Sequence, residues 1–151
     1  MTRKQKLYVT WLVLNLAITW GNSLLPGNIS GQISDWVKDA IGNLFSGGNL
    51  PGASGGGLIR KAAHFLEFTS LGLVLSLLWG TLAKSKWLAL FCGAAAACAD
   101  ECIQLFIPGR HGCLTDVGID CSGVLFGIVL YFAGKKIRQR HKNKQFLEET
   151  K

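Results

Sequence analysis

The chain has 151 residues, of which 49% are hydrophobic and 17% charged, with a net charge of +7 and a mean hydropathy of +0.30. That balance is more apolar than most soluble domains and makes one membrane-embedded bundle the expectation. It also argues against nucleic acid: seven of the sixteen Lys and Arg fall in residues 135–151 with no ladder of aromatic residues among them, so the excess charge reads as a juxtamembrane basic tail.

Four stretches reach the roughly 20 apolar residues that a spanning helix needs: Leu7 to Leu25, Leu58 to Leu82, Trp87 to Ile107 and Leu114 to Gly134. The first starts basic like a secretory signal, yet residues 17–27 offer no small-x-small cleavage site, so it is expected to stay as an anchor. Between the first two spans, Ile33, Trp36, Val37, Ala40, Ile41, Leu44 and Phe45 recur at helical spacing with Asp35, Lys38 and Asp39 between them. This predicts an amphipathic interfacial helix, lying flat on the membrane or over the bundle as a lid. A glycine-rich connector follows to Gly57, too irregular for a phosphate-binding loop. Twelve of the sixteen Lys and Arg belong to the amino-terminal tail, the Lys84 to Lys86 turn and the carboxy-terminal tail. The fold class expected is therefore all-α integral membrane: a four-transmembrane-helix bundle with both termini cytoplasmic, a membrane domain over 1–134 (outer loop 26–57) and a basic cytoplasmic tail over 135–151.

Charged residues interrupt three of the spans. Arg60, His64 and Glu67 are spaced four and three apart and share a helical face, with Lys61 beside them. The third span ends in Asp100, Glu101 and Gln104 ahead of Pro108, Gly109 and Arg110, and the fourth begins with Asp116 and Asp120. In the four-span arrangement all of these fall in the outer half of the bilayer. A charge at the centre of a membrane helix costs about 2.5–3.5 kcal/mol on insertion scales, so they are expected to pair or to line an outward-facing polar pocket. A purely structural ion-pair network is the rival reading. Spacing does not choose whether Asp100 or Glu101 shares the face of Gln104. The run from Gly93 to Ala99 and the pair Gly123 and Gly127 read as close packing between the third and fourth spans. The five cysteines form no CxxC pair and read as small buried hydrophobes, although Cys102 and Cys113 flank a turn across which a disulfide is conceivable.

The succession R-K-A-A-H-F-L-E-F (60–68), D-E-C-I-Q-L-F-I-P-G-R (100–110) and D-V-G-I-D-C-S-G-V-L-F-G (116–127) resembles the VanZ-like family of bacterial membrane proteins. The resemblance covers the membrane portion and implies a link to low-level resistance to teicoplanin, a lipid-anchored glycopeptide. It singles out Arg60, Lys61, His64, Glu67, Asp100, Glu101, Gln104, Pro108, Gly109, Arg110, Asp116 and Gly123. Two positions depart from the pattern it implies: Phe68 stands for the usual Tyr, and Asp120 for the usual Asn.

The function expected is binding of an anionic envelope lipid or precursor headgroup, held by Arg60, Lys61 and Arg110, with lowered teicoplanin susceptibility as a consequence. The ligand-binding candidates are those three with His64, Glu67, Asp100, Glu101, Gln104, Asp116 and Asp120. The alternative is an enzyme acting on an envelope lipid, with His64, Glu67 and Glu101 as catalytic acid-base candidates. A metal version would use His64, Glu67, Glu101 and Asp116, but no HExxH-like spacing supports it, so neither a metal nor a cofactor is expected. A proton-coupled carrier is weakened by the small number of spans and the lack of an internal repeat. Expected partners are membrane lipids, an envelope precursor or glycopeptide, and a second copy through the glycines of the fourth span; the expected location is the bacterial cytoplasmic membrane.

Overall fold

The computed structural model describes residues 1–46, 57–82 and 86–149. Most of the expected glycine-rich connector and of the Lys84 to Lys86 turn lies outside them. The described residues form five helices: α1 (Arg3–Ser23), α2 (Gly27–Ser46), α3 (Gly57–Thr81), α4 (Lys86–Leu105) and α5 (Leu114–Glu149). None of them forms a strand.

Local chemistry sets the boundaries. A capping box starts α1, where Gln5 N donates to Thr2 Oγ1 at 3.2 Å and Thr2 N to Gln5 Oε1 at 2.8 Å. Pro26 follows the end of α1, and Gly27 N donates to the Pro108 carbonyl at 3.0 Å, which pins the start of α2 to the α4–α5 turn. That turn closes with Arg110 N on the Ile107 carbonyl at 3.1 Å. Pro108 and Gly109 occupy its middle, and Gly109 takes φ 72°, a conformation that favours glycine.

The long central helix is α3, which packs against α1, α2, α4 and α5. Its Phe68, Leu71, Val74 and Leu75 form the core with Ala89 and Ala97 of α4 and Val124 of α5. The small residues act where backbones approach. A side chain at Gly72 would run into the backbone of Val124, one at Gly127 into Thr69 and Leu73, and one at Gly123 into Phe65 and Phe68. The Gly123/Gly127 pair therefore serves the α3–α5 contact, not the contact between α4 and α5 that spacing suggested. The run from Gly93 to Ala99 meets that expectation, with Gly93 facing Val124 and Ala97 in the core beside it. Large apolar side chains cover the outside, among them Leu7, Leu14 and Ile18 of α1, Phe91 of α4 and Val129 of α5. Such a surface suits lipid.

Three helical stretches are long and apolar enough to cross a membrane: Gly57–Thr81, Trp87–Leu105 and Leu114–Glu148. The first helix falls short of that measure although its 21 residues suffice in length. A basic start and polar residues lower its average hydropathy; among these Asn15, Thr19 and Ser23 form a buried stripe, while Leu12 and Leu16 pack on the core and Leu7, Leu14 and Ile18 face outward. At about 1.5 Å per residue, the 36 residues of α5 reach about 54 Å, well past a hydrocarbon core of about 30 Å. The basic segment from Lys135 continues that helix as far as Glu149. Lys4 and Tyr8 of α1 share a groove with Lys135, Arg138 and Lys142, so the described parts of both terminal segments meet at one end.

The expected amphipathic helix is present as α2, and it lies against α3. Its contact face is small and polar: Ser30 and Ser34 are buried, and Ser34 Oγ donates to the Ser30 carbonyl at 2.9 Å. The apolar stripe Ile29, Ile33, Trp36 and Leu44 stays largely on the outside.

Candidate functional site

At the end of the bundle away from the basic groove, the start of α3, the end of α4, the following turn and the start of α5 bring their charges together. Asp100, Glu101, Gln104, Arg110 and Asp120 are all buried there. Arg60, His64 and Glu67 do share a face, and together they line a cavity of about 150 Å³ between α2 and α3, with Ile33, Val37 and Ile59 on its apolar side.

Most charges have a protein partner. Lys61 Nζ lies 2.8 Å from Asp116 Oδ1. Glu67 Oε1 accepts from Asn22 Nδ2 at 2.6 Å. Glu101 Oε2 accepts from the Cys113 backbone N–H at 2.8 Å, and it is Asp100 that binds Gln104, whose Nε2 donates to Oδ2 at 2.9 Å. The two adjacent acids thus point apart, as a helical step of about 100° requires.

Arg110 has a structural environment. Its Nη2 donates to the Asn22 carbonyl at 2.6 Å and its Nε to the Leu25 carbonyl at 3.0 Å. Its Nη1 reaches Gln104 Oε1 at 3.5 Å. These carbonyls belong to the end of α1, where the last turn lacks intrahelical donors and carries partial negative charge, so a guanidinium there holds α1 to the turn. Burial pushes Arg110 below its ordinary pKa. Nearby, the Thr115 hydroxyl, 3.0 Å from Cys113 Sγ, draws that thiol below its ordinary range. The five cysteines are unpaired, Cys102 and Cys113 included.

The innermost group is His64 with Asp100 and Asp120. His64 Nδ1 stands 3.6 Å from Asp100 Oδ2 and 3.8 Å from Asp120 Oδ1, beyond a good hydrogen bond. Asp100 Oδ1 and Asp120 Oδ2 are buried without a hydrogen-bond partner among the described residues. One donor atom from each of the three residues lies within 4.8 Å of the other two. Of the four residues that a metal version of the enzyme reading would use, only His64 is in this group, because Glu67, Glu101 and Asp116 turn to Asn22, Cys113 and Lys61.

The residues that sequence reasoning missed come from α1. Asn22 and Ser23 reach Glu67 and Gln104, the latter with Nε2 to Ser23 Oγ at 3.4 Å. The signal was there as the polar positions 15, 19, 22 and 23 in an otherwise apolar segment, at the spacing of one helical face.

Comparison with curated proteins and with solved structures finds no match. A family model described as VanZ/LLP1 matches residues 6–135, which take in all three charged motifs and every residue of the polar cluster, and the chain belongs to the VanZ/LLP1 family.

Proposed function

We propose that this protein is a four-span component of the bacterial cytoplasmic membrane, with both termini cytoplasmic, which binds the anionic headgroup of an envelope lipid or lipid precursor and thereby lowers teicoplanin susceptibility. The observation that carries this reading is the cavity between α2 and α3. Its walls are apolar at Ile33, Val37 and Ile59 and cationic at Arg60, the pairing that an amphiphile with a phosphate needs. Lys61 is engaged by Asp116 and Arg110 by carbonyls, whereas Arg60 has no carboxylate within ion-pair distance among the described residues. The outward apolar stripe of α2 suits a helix at the membrane surface above that cavity.

In nanodiscs, the full chain is expected to retain phosphatidylglycerol over phosphatidylcholine in native mass spectrometry, and Arg60→Ala to lose that preference while Arg60→Lys keeps part of it. A sensitive host expressing the chain should tolerate more teicoplanin, and Arg60→Ala at equal membrane level should remove the difference. Equal lipid retention by the parent and Arg60→Ala would end this reading. A reporter fused after Lys151 should behave as cytoplasmic; an external signal would reverse the pocket's orientation. The second reading, an enzyme acting on such a lipid, is favoured by one feature: His64 borders the cavity and also faces two buried carboxylates, the environment of a general base. Turnover of bound lipid that depends on His64 would select it.

A further inference from the structure

We propose that His64 Nδ1, one oxygen of Asp100 and one oxygen of Asp120 hold a divalent transition-metal cation of the zinc or manganese class inside the bundle. Two buried carboxylates face each other here with no Lys or Arg within ion-pair distance among the described residues, and each keeps one oxygen without a hydrogen-bond partner. In a low-dielectric interior such a pair has to be neutralised, and a dication does so with both carboxylates ionised. The distances agree. Ligand atoms about 2.1 Å from a tetrahedral ion stand about 3.4 Å apart; His64 Nδ1 lies 3.6 Å from Asp100 Oδ2 and 3.8 Å from Asp120 Oδ1, in each carboxylate the oxygen beside the unpartnered one, too far to be hydrogen-bonded and close to what a shared ion requires.

The surroundings fit as well. Gln104 Nε2 donates to Asp100 Oδ2 at 2.9 Å and so orients a ligand carboxylate, a common second partner of a metal-bound group. A small cavity lined by His64, Gln104 and Asp120, with Arg60 and Lys61 also in its wall, has a volume of about 10 Å³, room for one water-sized guest as a fourth ligand. One nitrogen and two oxygens suit zinc or manganese and lack the thiolates that copper(I) or an iron–sulfur cluster prefers. The three ligands come from three helices, α3, α4 and α5, so a bound ion would tie those helices together at the end where the charges meet. This assignment does not rest on the lipid reading, since it concerns the protein without lipid ligand or antibiotic.

The test uses the full chain purified in detergent without chelator, its affinity tag removed. Elemental analysis should find zinc or manganese near one equivalent per chain. After stripping with EDTA, the protein should take up cobalt(II) with visible d–d absorption that zinc abolishes. His64→Gln and Asp120→Asn, near-isosteric changes, should each weaken zinc binding at least about ten-fold, while Glu148→Gln on the exposed end of α5 should leave it unchanged. Failure of the parent protein to retain zinc or manganese and to develop the cobalt spectrum overturns the proposal, even if a variant does not fold. Equal binding by the parent and both site variants also overturns it, by showing that the metal sits elsewhere. Lipid retention in nanodiscs, measured separately, keeps this outcome distinct from the fate of the headgroup reading.

Discussion

The two ends of the bundle handle charge in opposite ways. At one end Glu67, Asp100, Glu101, Arg110, Asp116 and Asp120 turn inward, and nearly every one has a named partner at a short distance. At the other, Lys4, Lys135, Arg138 and Lys142 line a groove with no acid in its wall among the described residues. Buried charges lose hydration and are held only by specific, well-aligned partners, so the loss of one leaves others stranded. Exposed like charges keep their water and act as a sum, screened by salt within about 10 Å at 0.1 M. Single substitutions should therefore matter at the first end and hardly register at the second.

That contrast can be broken at several levels. Arg110→Ala should have the largest effect, because it strands the Asn22 and Leu25 carbonyls and the Gln104 side chain together. A loss of roughly 3–5 kcal/mol is expected, read as a lowered unfolding midpoint in detergent. A change below 1 kcal/mol would show that α1 is held in some other way. Next, Gly127→Ala places a methyl group against the Thr69 and Leu73 backbone and should destabilise by about 1–3 kcal/mol in the same assay. Asn22→Ala removes one hydrogen bond to the Glu67 carboxylate from a site that solvent reaches, and about 1 kcal/mol is expected. Lys142→Ala should leave the midpoint where it was. Its effect belongs to association with anionic vesicles, where each basic residue near the surface adds about 1 kcal/mol, or about five-fold in affinity, and high salt should erase it. If Lys142→Ala destabilised the fold as much as Arg110→Ala, the two ends would not differ in the way described.

Much of the architecture was legible from period and length alone. The amphipathic stretch after Pro26 is a helix, and the start of α3, the end of α4 and the start of α5 do meet. The first helix was legible only in part. Its apolar residues announced a span, but the meaning of Asn15, Thr19, Asn22 and Ser23 depends on α3 and α4 lying against it. The glycines on α5 were recognised as packing residues and assigned to the wrong neighbour, since a glycine shows that something approaches and not what does.

The sequence by itself determined the helical periods, the motifs that carry the family resemblance and which of the charged residues share a helical face. The periods and the shared faces follow from rise and turn along a single helix, and the family from the order and spacing of the motifs. The tertiary structure alone decided that Asp100 and not Glu101 binds Gln104, that Arg110 holds the end of α1, and that Asp120 faces His64 while Asp116 pairs with Lys61. The physical reason is that spacing within a helix is indifferent to rotation about its axis. That rotation is set by the backbone contact of α3 with α5 at Gly72, Gly123 and Gly127, and it determines which neighbour each face meets.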